Sequence, residues 1–399
     1  MIDEIIDRAV KGGEVGVDDV YELMSISDPK ELETLYEAAR KVRDARFGRK
    51  VFTYGFVYFS TYCKNNCAFC YFRRSNGEIE RYRKDREEIV QLAGSLKDAG
   101  INLADLTMGE DPRMYADDYR LLLDLISAVH DEVGINIMAS PGALPREMFP
   151  RLREAGADWH ACYQETYNRE LFSKLRLDQD FDARKNQKLW AMEAGLLAED
   201  GMMIGLGETV RDRAETILEM GSTGCQQIRA MTFVPQEGTP MQMLRPFDST
   251  EELKAIAVMR ILYPDRLIPA TLDVEGIAGL KTRISAGANV ITSIVPPNRN
   301  LAGVAQHELD IENGNRSVEH VFSMLDEMGY RRATSSEYRA FLDEHRPRGG
   351  RVGRDYALWA VRSRGWRPRS WGRRRALRPS SSTGRRPHRR SRSATSPMS

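Results

Sequence analysis

Three cysteines stand close together in the run STYCKNNCAFCYF, and this cluster constrains the protein more than any other feature. Cys63, Cys67 and Cys70 have the spacing C-x3-C-x2-C. Three thiolates at this spacing can bind three irons of a cubic [4Fe–4S] cluster, which leaves the fourth iron without a protein ligand. A zinc site would instead need a fourth cysteine or histidine within roughly 20 residues, and the next such residue is His130. The spacing therefore favours a cluster with one exchangeable position over zinc.

Length and composition are typical of a soluble globular protein with reduced cysteines. The 399 residues are 41% hydrophobic, which is enough for a sizeable core. Cys162 and Cys225 stand alone, so we expect buried thiols and no secreted disulfide framework. The N-terminus lacks the layout of a signal peptide, and no apolar run approaches the ~20 residues of a membrane span. We therefore expect a cytoplasmic protein with no membrane partner.

The net charge of +1 conceals a strongly basic C-terminal segment. From Arg346 to Ser399 there are 17 arginines, no lysine and a single acid, Asp355, so residues 1–345 carry about −15. Such a tail suits phosphate contacts, and an iron–sulfur protein that binds nucleic acid through it is one alternative. The same composition is typical of an accidental reading frame. We therefore expect residues 348–399 to be a disordered, functionally silent extension, and we expect no nucleic-acid partner.

The sequence alternates between strand-like and helical patterns after an N-terminal helical segment. Predicted strands lie near residues 51–60, 102–108, 135–139, 159–164, 202–205, 227–233, 267–272 and 289–294, with amphipathic helices between them. This alternation predicts an α/β fold, a (β/α)8 TIM-type barrel with an N-terminal helical cap, rather than an open doubly wound sheet. The expected divisions are a helical segment at 1–48, the barrel at 49–312, a C-terminal helical closure at 313–347 and the tail at 348–399.

The cysteine loop, with aromatic Phe69 before its last cysteine, resembles that of the radical S-adenosylmethionine enzymes. The resemblance implies that the open iron binds the amino and carboxylate groups of the cofactor. It also implies an external one-electron donor of the flavodoxin or ferredoxin type, whose electron releases a 5′-deoxyadenosyl radical. Residues assigned to the cofactor by this resemblance follow successive predicted strands: Glu110 in a glycine–glutamate motif, Ser140, Glu165, Arg176, and Gly205 and Gly207 against the adenine.

Longer runs narrow the resemblance within that superfamily. The segments DLTMGEDP, YQETYNRELFSKLR, RAMTFVPQEGTP, RLIPATLDVEGI and AGANVITSIVPP are similar to the lysine mutases of pyrrolysine biosynthesis, over roughly residues 1–345. The resemblance implies that the adenosyl radical takes a hydrogen from L-lysine, whose carbon skeleton then fragments and recombines to 3-methyl-D-ornithine. No catalytic residue beyond that radical is expected.

Four residues suit a diamino acid as substrate. Its carboxylate needs a fixed cation and its ammonium groups need acids. Arg229, at the predicted end of the sixth strand, is assigned to the carboxylate, and Asp105 and Asp273 are assigned to the ammonium groups. Thr271 shares a strand face with Asp273 and offers a hydroxyl where the family pattern has serine. Both aspartates could instead be structural caps, Asp273 for the helix that follows it.

A radical enzyme of the biotin-synthase or hydrogenase-maturase type, acting on another small molecule, is the alternative within enzymes. Biotin synthase would need ligands for a second, sulfur-donating cluster. The remaining cysteines are Cys162 and Cys225 alone, which disfavours sulfur insertion.

Overall fold

Eight parallel strands curl into a barrel in the computed structural model, which describes residues 2–294 and 318–347. They are β1 (Lys50–Ser60), β2 (Leu103–Met108), β3 (Asn136–Ser140), β4 (Trp159–Ala161), β5 (Leu197–Ile204), β6 (Gln227–Thr232), β7 (Pro269–Thr271) and β8 (Val290–Ile294). Their order is β6-β5-β4-β3-β2-β1-β8-β7. A bridge between Gln227 and Leu267 joins β6 to the segment before β7, so the barrel is nearly closed. The predicted fold class is confirmed.

The observed strands lie close to the predicted ones, with one informative exception. β1 is buried along almost its whole length, as expected of a strand covered by helices outside and packed inside. β5 begins at Leu197, five residues earlier than predicted, because Glu199 and Asp200 are fully buried strand residues rather than a polar loop. The predicted start of this strand at residue 202 was therefore wrong.

Helices cover the outside of the barrel. They are α1 (Ile2–Val10), α2 (Val17–Met24), α3 (Pro29–Phe47), α4 (Arg86–Asp98), α5 (Pro112–Tyr115), α6 (Arg120–Ala128), α7 (Met148–Glu154), α8 (Arg169–Leu175), α9 (Phe181–Glu193), α10 (Val210–Thr223), α11 (Thr250–Leu262), α12 (Gly276–Ser285), α13 (Val318–Glu327) and α14 (Ser335–His345). A 3₁₀ turn (Asp117–Tyr119) precedes α6, a π turn (Val129–Val133) follows it, and a short strand β9 (Arg331–Arg332) pairs with the start of β1. In the described ranges, no helix combines the length and apolar character that crossing a membrane requires.

The N-terminal cap, α1–α3, packs on the flank of the barrel against α10 and α11. Asp28 caps α3, since its carboxylate accepts from the backbone N–H groups of Lys30 and Glu31. Asp18 does not cap α2; it lies inside that helix, and Asp19 accepts from Gly16 N instead. Buried Arg43 donates to the carbonyls of Ile284 and Ala288, which ties α3 to the barrel.

The amino-terminal mouth of the barrel is filled by α14. The Tyr338 hydroxyl donates to the hydroxyl of Tyr54 on β1 at 3.3 Å, and Phe341 stacks on Trp159 of β4 with 6.5 Å between ring centres. This packing leaves the carboxyl ends of the strands as the end where a cavity can form. Residues 313–317 of the predicted closure and the whole predicted tail, 348–399, lie outside the described residues.

Candidate active site

A cavity of about 1270 Å³, counted out to where it meets solvent, lies at the carboxyl ends of the strands. The predicted site residues that line it are Cys63, Cys67, Cys70, Asp105, Glu110, Ser140, Glu165, Arg176, Arg229 and Asp273. The structure does not place Gly205, Gly207 or Thr271 on its wall. Ten residues predicted from separate motifs therefore converge on one space.

The three cysteines lie in the loop that follows β1. Arg81 holds this loop, because its guanidinium donates to the carbonyls of Thr61, Phe72 (3.0 Å) and Arg73 (2.6 Å). Gln179 Nε2 donates to Cys67 Sγ at 3.0 Å. Hydrogen bonds from Arg81 and Gln179 therefore hold the shape of the loop, and its three cysteines line the cavity.

The thiols are held in an environment that disfavours their ionisation without a metal. Burial raises the pKa of Cys70, and the neighbouring sulfurs raise it further; burial likewise raises the pKa of Cys63. Metal coordination deprotonates such thiols outright. Within the described ranges, no three histidine, cysteine or acidic side chains converge on a single metal ion. Thiolates that bind different irons of one cluster need not converge on a point.

Glu110 follows β2 at the edge of the cavity, and two cations flank it. Its carboxylate lies 3.4 Å from Arg184 Nη1 and 3.3 Å from Lys64 Nζ, and it accepts from Ala143 N at 3.2 Å. Burial alone would raise the pKa of Glu110, but Arg184 and Lys64 hold it below the usual range. The side chain therefore stays ionised and can accept from an ammonium group.

Gly109, just before it, permits the close approach of β2 to the cysteine loop. A Cβ at this position would lie 2.2 Å from the carbonyl oxygen of Tyr62 and 2.9 Å from Cβ of Cys63. No side chain fits there, so glycine is required at this contact.

Glu165 and Arg176 form a buried ion pair with 2.5 Å between Oε1 and Nη2. Glu165 has φ of +67°, a conformation that non-glycine residues rarely adopt and that clusters at functional sites. Its backbone bonds to Gly201 and Met203 of β5 hold it there. Arg176 Nε has no hydrogen-bond partner among the described residues. The two predicted cofactor residues therefore form an ion pair, and Nε of Arg176 can still donate a hydrogen bond.

Arg229 projects into the barrel from the middle of β6, whereas the sequence pattern predicted it at the end of that strand. Its Nε donates to Glu199 Oε1 at 2.8 Å, and the guanidinium lies 5.2 Å from the ring centre of Tyr163. Its Nη2 is buried and has no hydrogen-bond partner in the described part of the protein. An unpaired buried donor costs free energy, so this group is suited to a carboxylate within the cavity.

Asp105 lies on β2 with its carboxylate buried beside Ser140. The Ser140 hydroxyl donates to it at 2.6 Å. Burial raises the pKa of Asp105 to about 7, with a further contribution from Glu199. The residue caps no helix. Ser140, assigned from the resemblance to the cofactor, is in this structure a hydrogen-bond donor to Asp105.

Asp273 lies two residues beyond β7, where two hydroxyls hold it. Its Oδ2 accepts from Thr271 at 2.9 Å and from Ser293 at 2.5 Å. The following helix, α12, has Glu275 at its N-terminal cap position, so Asp273 does not serve as that cap. The Thr271 hydroxyl is directed at Asp273.

Gly205 and Gly207 lie in the turn after β5, with φ of +99° and +105°. The Glu208 carboxylate accepts from the backbone N–H groups of Gly205 and Leu206 at 2.9 and 2.8 Å. The glycines therefore shape the turn beyond the cavity wall. Their predicted contact with adenine stays a prediction.

Lys64, Arg184 and Glu199 are charged residues that line or support the site and that were not predicted from the sequence. Arg184, on α9, pairs with Glu110 and donates to the Tyr163 carbonyl at 2.7 Å. Lone charged residues on amphipathic helices are usually solvated, so its place in the sequence offers no reason to single it out. For Glu199 a signal existed, since two adjacent acids occur within an otherwise apolar strand pattern.

The barrel with a C-x3-C-x2-C loop at the carboxyl end of its first strand defines a radical S-adenosylmethionine enzyme, and the Radical SAM superfamily model matches residues 57–220. The chain is 44% identical to 3-methylornithine synthase of Methanosarcina barkeri (strain Fusaro / DSM 804) over 340 residues, which are 85% of this chain and 97% of that protein. It therefore belongs to the 3-methylornithine synthase family.

Two further comparisons agree. The crystal structure of methylornithine synthase (PylB) superposes with a TM-score of 0.80 at 43% identity, covering 84% of this chain and 99% of that one. The [FeFe] hydrogenase maturase subunit HydE of Thermotoga maritima is 34% identical over 273 residues, 68% of this chain and 77% of that protein.

The superfamily implies a [4Fe–4S] cluster and S-adenosylmethionine, and the residues present fit both. The three thiols lie in one loop, and a bound metal would deprotonate them and compensate the thiolate charges that burial disfavours. Ionised Glu110 and the unpaired Nε of Arg176 offer an acceptor and a donor across the same cavity. A zwitterionic cofactor requires one of each.

Proposed function

We propose that this protein isomerises L-lysine to 3-methyl-D-ornithine, the first step of pyrrolysine biosynthesis. The single observation that carries the proposal is the inner end of the cavity. There, the buried Arg229 has an unpaired donor and Asp105 and Asp273 line the same space. One cation and two acids complement one carboxylate and two ammonium groups. The 44% identity to 3-methylornithine synthase supports the same substrate.

Cys63, Cys67 and Cys70 would hold the cluster, and Glu110 would accept from the methionine ammonium group of the cofactor. Arg176 would donate to its carboxylate while Glu165 accepts from the ribose. When bound, the two groups supply a 5′-deoxyadenosyl radical after reduction by an external electron donor. We propose a donor of the flavodoxin or ferredoxin type in the cytoplasm.

The substrate residues orient lysine rather than move its protons. Arg229 binds the carboxylate through its unpaired Nη2, and Glu199 and Tyr163 hold the guanidinium in place. Asp105 and Asp273 accept from the ammonium groups, and Ser140, Thr271 and Ser293 fix those two carboxylates. Lysine held in this way would occupy the same cavity as the cofactor.

The walls of the cavity retain the fragments of the substrate. Apolar side chains surround the space between the two polar ends, among them Phe56, Met202, Met231 and Phe233. α14 closes the opposite mouth of the barrel. Fragments confined in such a space recombine faster than they escape, and excluded water cannot quench a radical.

The test is product analysis with anaerobically reconstituted protein, L-lysine, S-adenosylmethionine and a reductant. We expect 3-methylornithine. The double variant Arg229→Met/Glu199→Gln removes both charges of the buried pair, so that no lone buried charge is left. It should release 5′-deoxyadenosine without product, whereas the exposed control Arg146→Met should behave as the wild type. Unchanged lysine with the wild-type protein, accompanied by uncoupled 5′-deoxyadenosine, would contradict the proposal.

A further inference from the structure

Glu199 is a buried carboxylate of β5 to which the resemblance assigns no role. It is 0% exposed, and it reaches Arg229 from the barrel interior. One carboxylate oxygen accepts from Arg229 Nε at 2.8 Å, and the other accepts from the Tyr163 hydroxyl at 3.2 Å. Tyr163 also lies against the guanidinium. Glu199 therefore binds the Nε side of the Arg229 guanidinium and leaves Nη2 available for a ligand.

The charge of Glu199 also changes what the cavity attracts. Glu199 and Arg229 cancel each other, so Arg229 offsets neither of the two aspartates that line the cavity, Asp105 and Asp273. If Glu199 were neutral, the inner end of the cavity would carry one more unit of positive charge. An amino acid with one ammonium group has no net charge, whereas one with two carries a positive charge. The negative charge of Glu199 therefore favours the second kind of substrate.

We infer that Glu199 is a positioning and specificity-determining residue. It orients Arg229 toward the substrate carboxylate, and by neutralising Arg229 it makes the cavity select amino acids that carry two ammonium groups. The inference rests on the proposed function and deepens it, since it assigns the discrimination against monoamino acids to a residue outside direct substrate contact.

Binding measurements on the holoenzyme with S-adenosylmethionine, without reductant, separate charge from chemistry. L-Norleucine is the matched probe because it has the shape of lysine without the second ammonium group. At pH 8 the wild type should bind lysine much more tightly than norleucine. Glu199→Gln keeps the shape and the hydrogen bond to Arg229 but removes the charge. We expect lysine affinity to fall about tenfold, norleucine affinity to hold or rise, and the ratio to fall by at least that factor.

A matched control is Glu252→Gln, which neutralises the acid of another fully buried glutamate–arginine pair, with Arg283, outside the cavity. It should cost similar stability and leave the lysine-to-norleucine ratio unchanged. A merely structural role for Glu199 would make the two variants alike.

Glu199→Asp provides the second reading, and it remains informative if Glu199→Gln does not fold. Aspartate keeps the negative charge, but its side chain is one methylene shorter and no longer holds Arg229 in place. We therefore expect selectivity for lysine to persist while kcat falls with little change in KM. If the wild type converts lysine but Glu199→Gln keeps the wild-type ratio of lysine to norleucine affinity, the inference is overturned and the proposed function stands. Loss of selectivity in Glu199→Asp would likewise overturn the inference. Failure of the wild type to bind lysine would instead overturn the proposed function.

Discussion

Gly109→Ala is the smallest substitution that tests whether β2 must touch the cysteine loop. The added methyl would lie 2.2 Å from the Tyr62 carbonyl oxygen and 2.9 Å from Cβ of Cys63. An ordinary contact begins at 3.4 Å, so the loop or the strand end has to move by more than 1 Å. Overpacking of this kind costs about 1–3 kcal/mol. A shift of about 1 Å in a reacting group can cost about 10²-fold in rate.

The assay combines anaerobic iron and sulfide quantitation with the rate of 5′-deoxyadenosine release. We expect Gly109→Ala to retain less iron and to release 5′-deoxyadenosine about 10²-fold more slowly, because Cys63 and Glu110 both flank the displaced contact. Gly77→Ala, in the same loop, adds a methyl that meets nothing within 4 Å and should match the wild type. Full iron content and a wild-type rate in Gly109→Ala would show that this contact does not position the loop.

Three other perturbations have expected outcomes. Arg81→Met removes the donors to the carbonyls of Thr61, Phe72 and Arg73. We expect the free energy of unfolding to fall by about 2 kcal/mol and the cluster iron to be released faster. Thermal melting and iron content after dilution into a chelator measure the two effects, and an unchanged release rate would count against this role of Arg81. Asp105 has a pKa of about 7 in the folded protein, above its ordinary value of 3.8, so its ionisation destabilises the fold progressively as pH rises from about 4 to about 7. Asp105→Asn should therefore raise Tm by a few degrees more at pH 8 than at pH 4, and a pH-independent difference would contradict the pKa. Deletion of residues 348–399 should leave turnover and iron content unchanged, whereas salt-dependent RNA binding that is lost on deletion would favour the nucleic-acid alternative.

The barrel could be predicted because its signals are local. Eight apolar runs alternate with amphipathic helices, and most of the candidate site residues follow these runs, at the strand ends that a parallel barrel brings together. β5 departed from this pattern. Glu199 and Asp200 are buried with partners from another strand and a helix, Arg229 and Lys188. Because those partners are distant in the sequence, the two acids are easily mistaken for a polar loop despite the apolar pattern around them.

The unpredicted contacts of the candidate site have the same physical origin. Thr271 and Asp273 are two residues apart on one face, so their contact could be anticipated. Ser293, which also holds Asp273, is 20 residues away on β8. Arg184 is 74 residues from Glu110. A partner that the fold supplies from another element leaves no mark near the residue it holds, so these positioning contacts became visible only in the structure.

If the cavity directs a cofactor-derived radical onto lysine, hydrogen must pass from the substrate to the cofactor fragment. Mass spectrometry of the 5′-deoxyadenosine and the amino acid formed from lysine that is deuterated at every carbon follows this transfer. We predict deuterium in 5′-deoxyadenosine together with a branched isomer of the substrate. Unlabelled 5′-deoxyadenosine and unchanged lysine would contradict the proposed radical transfer.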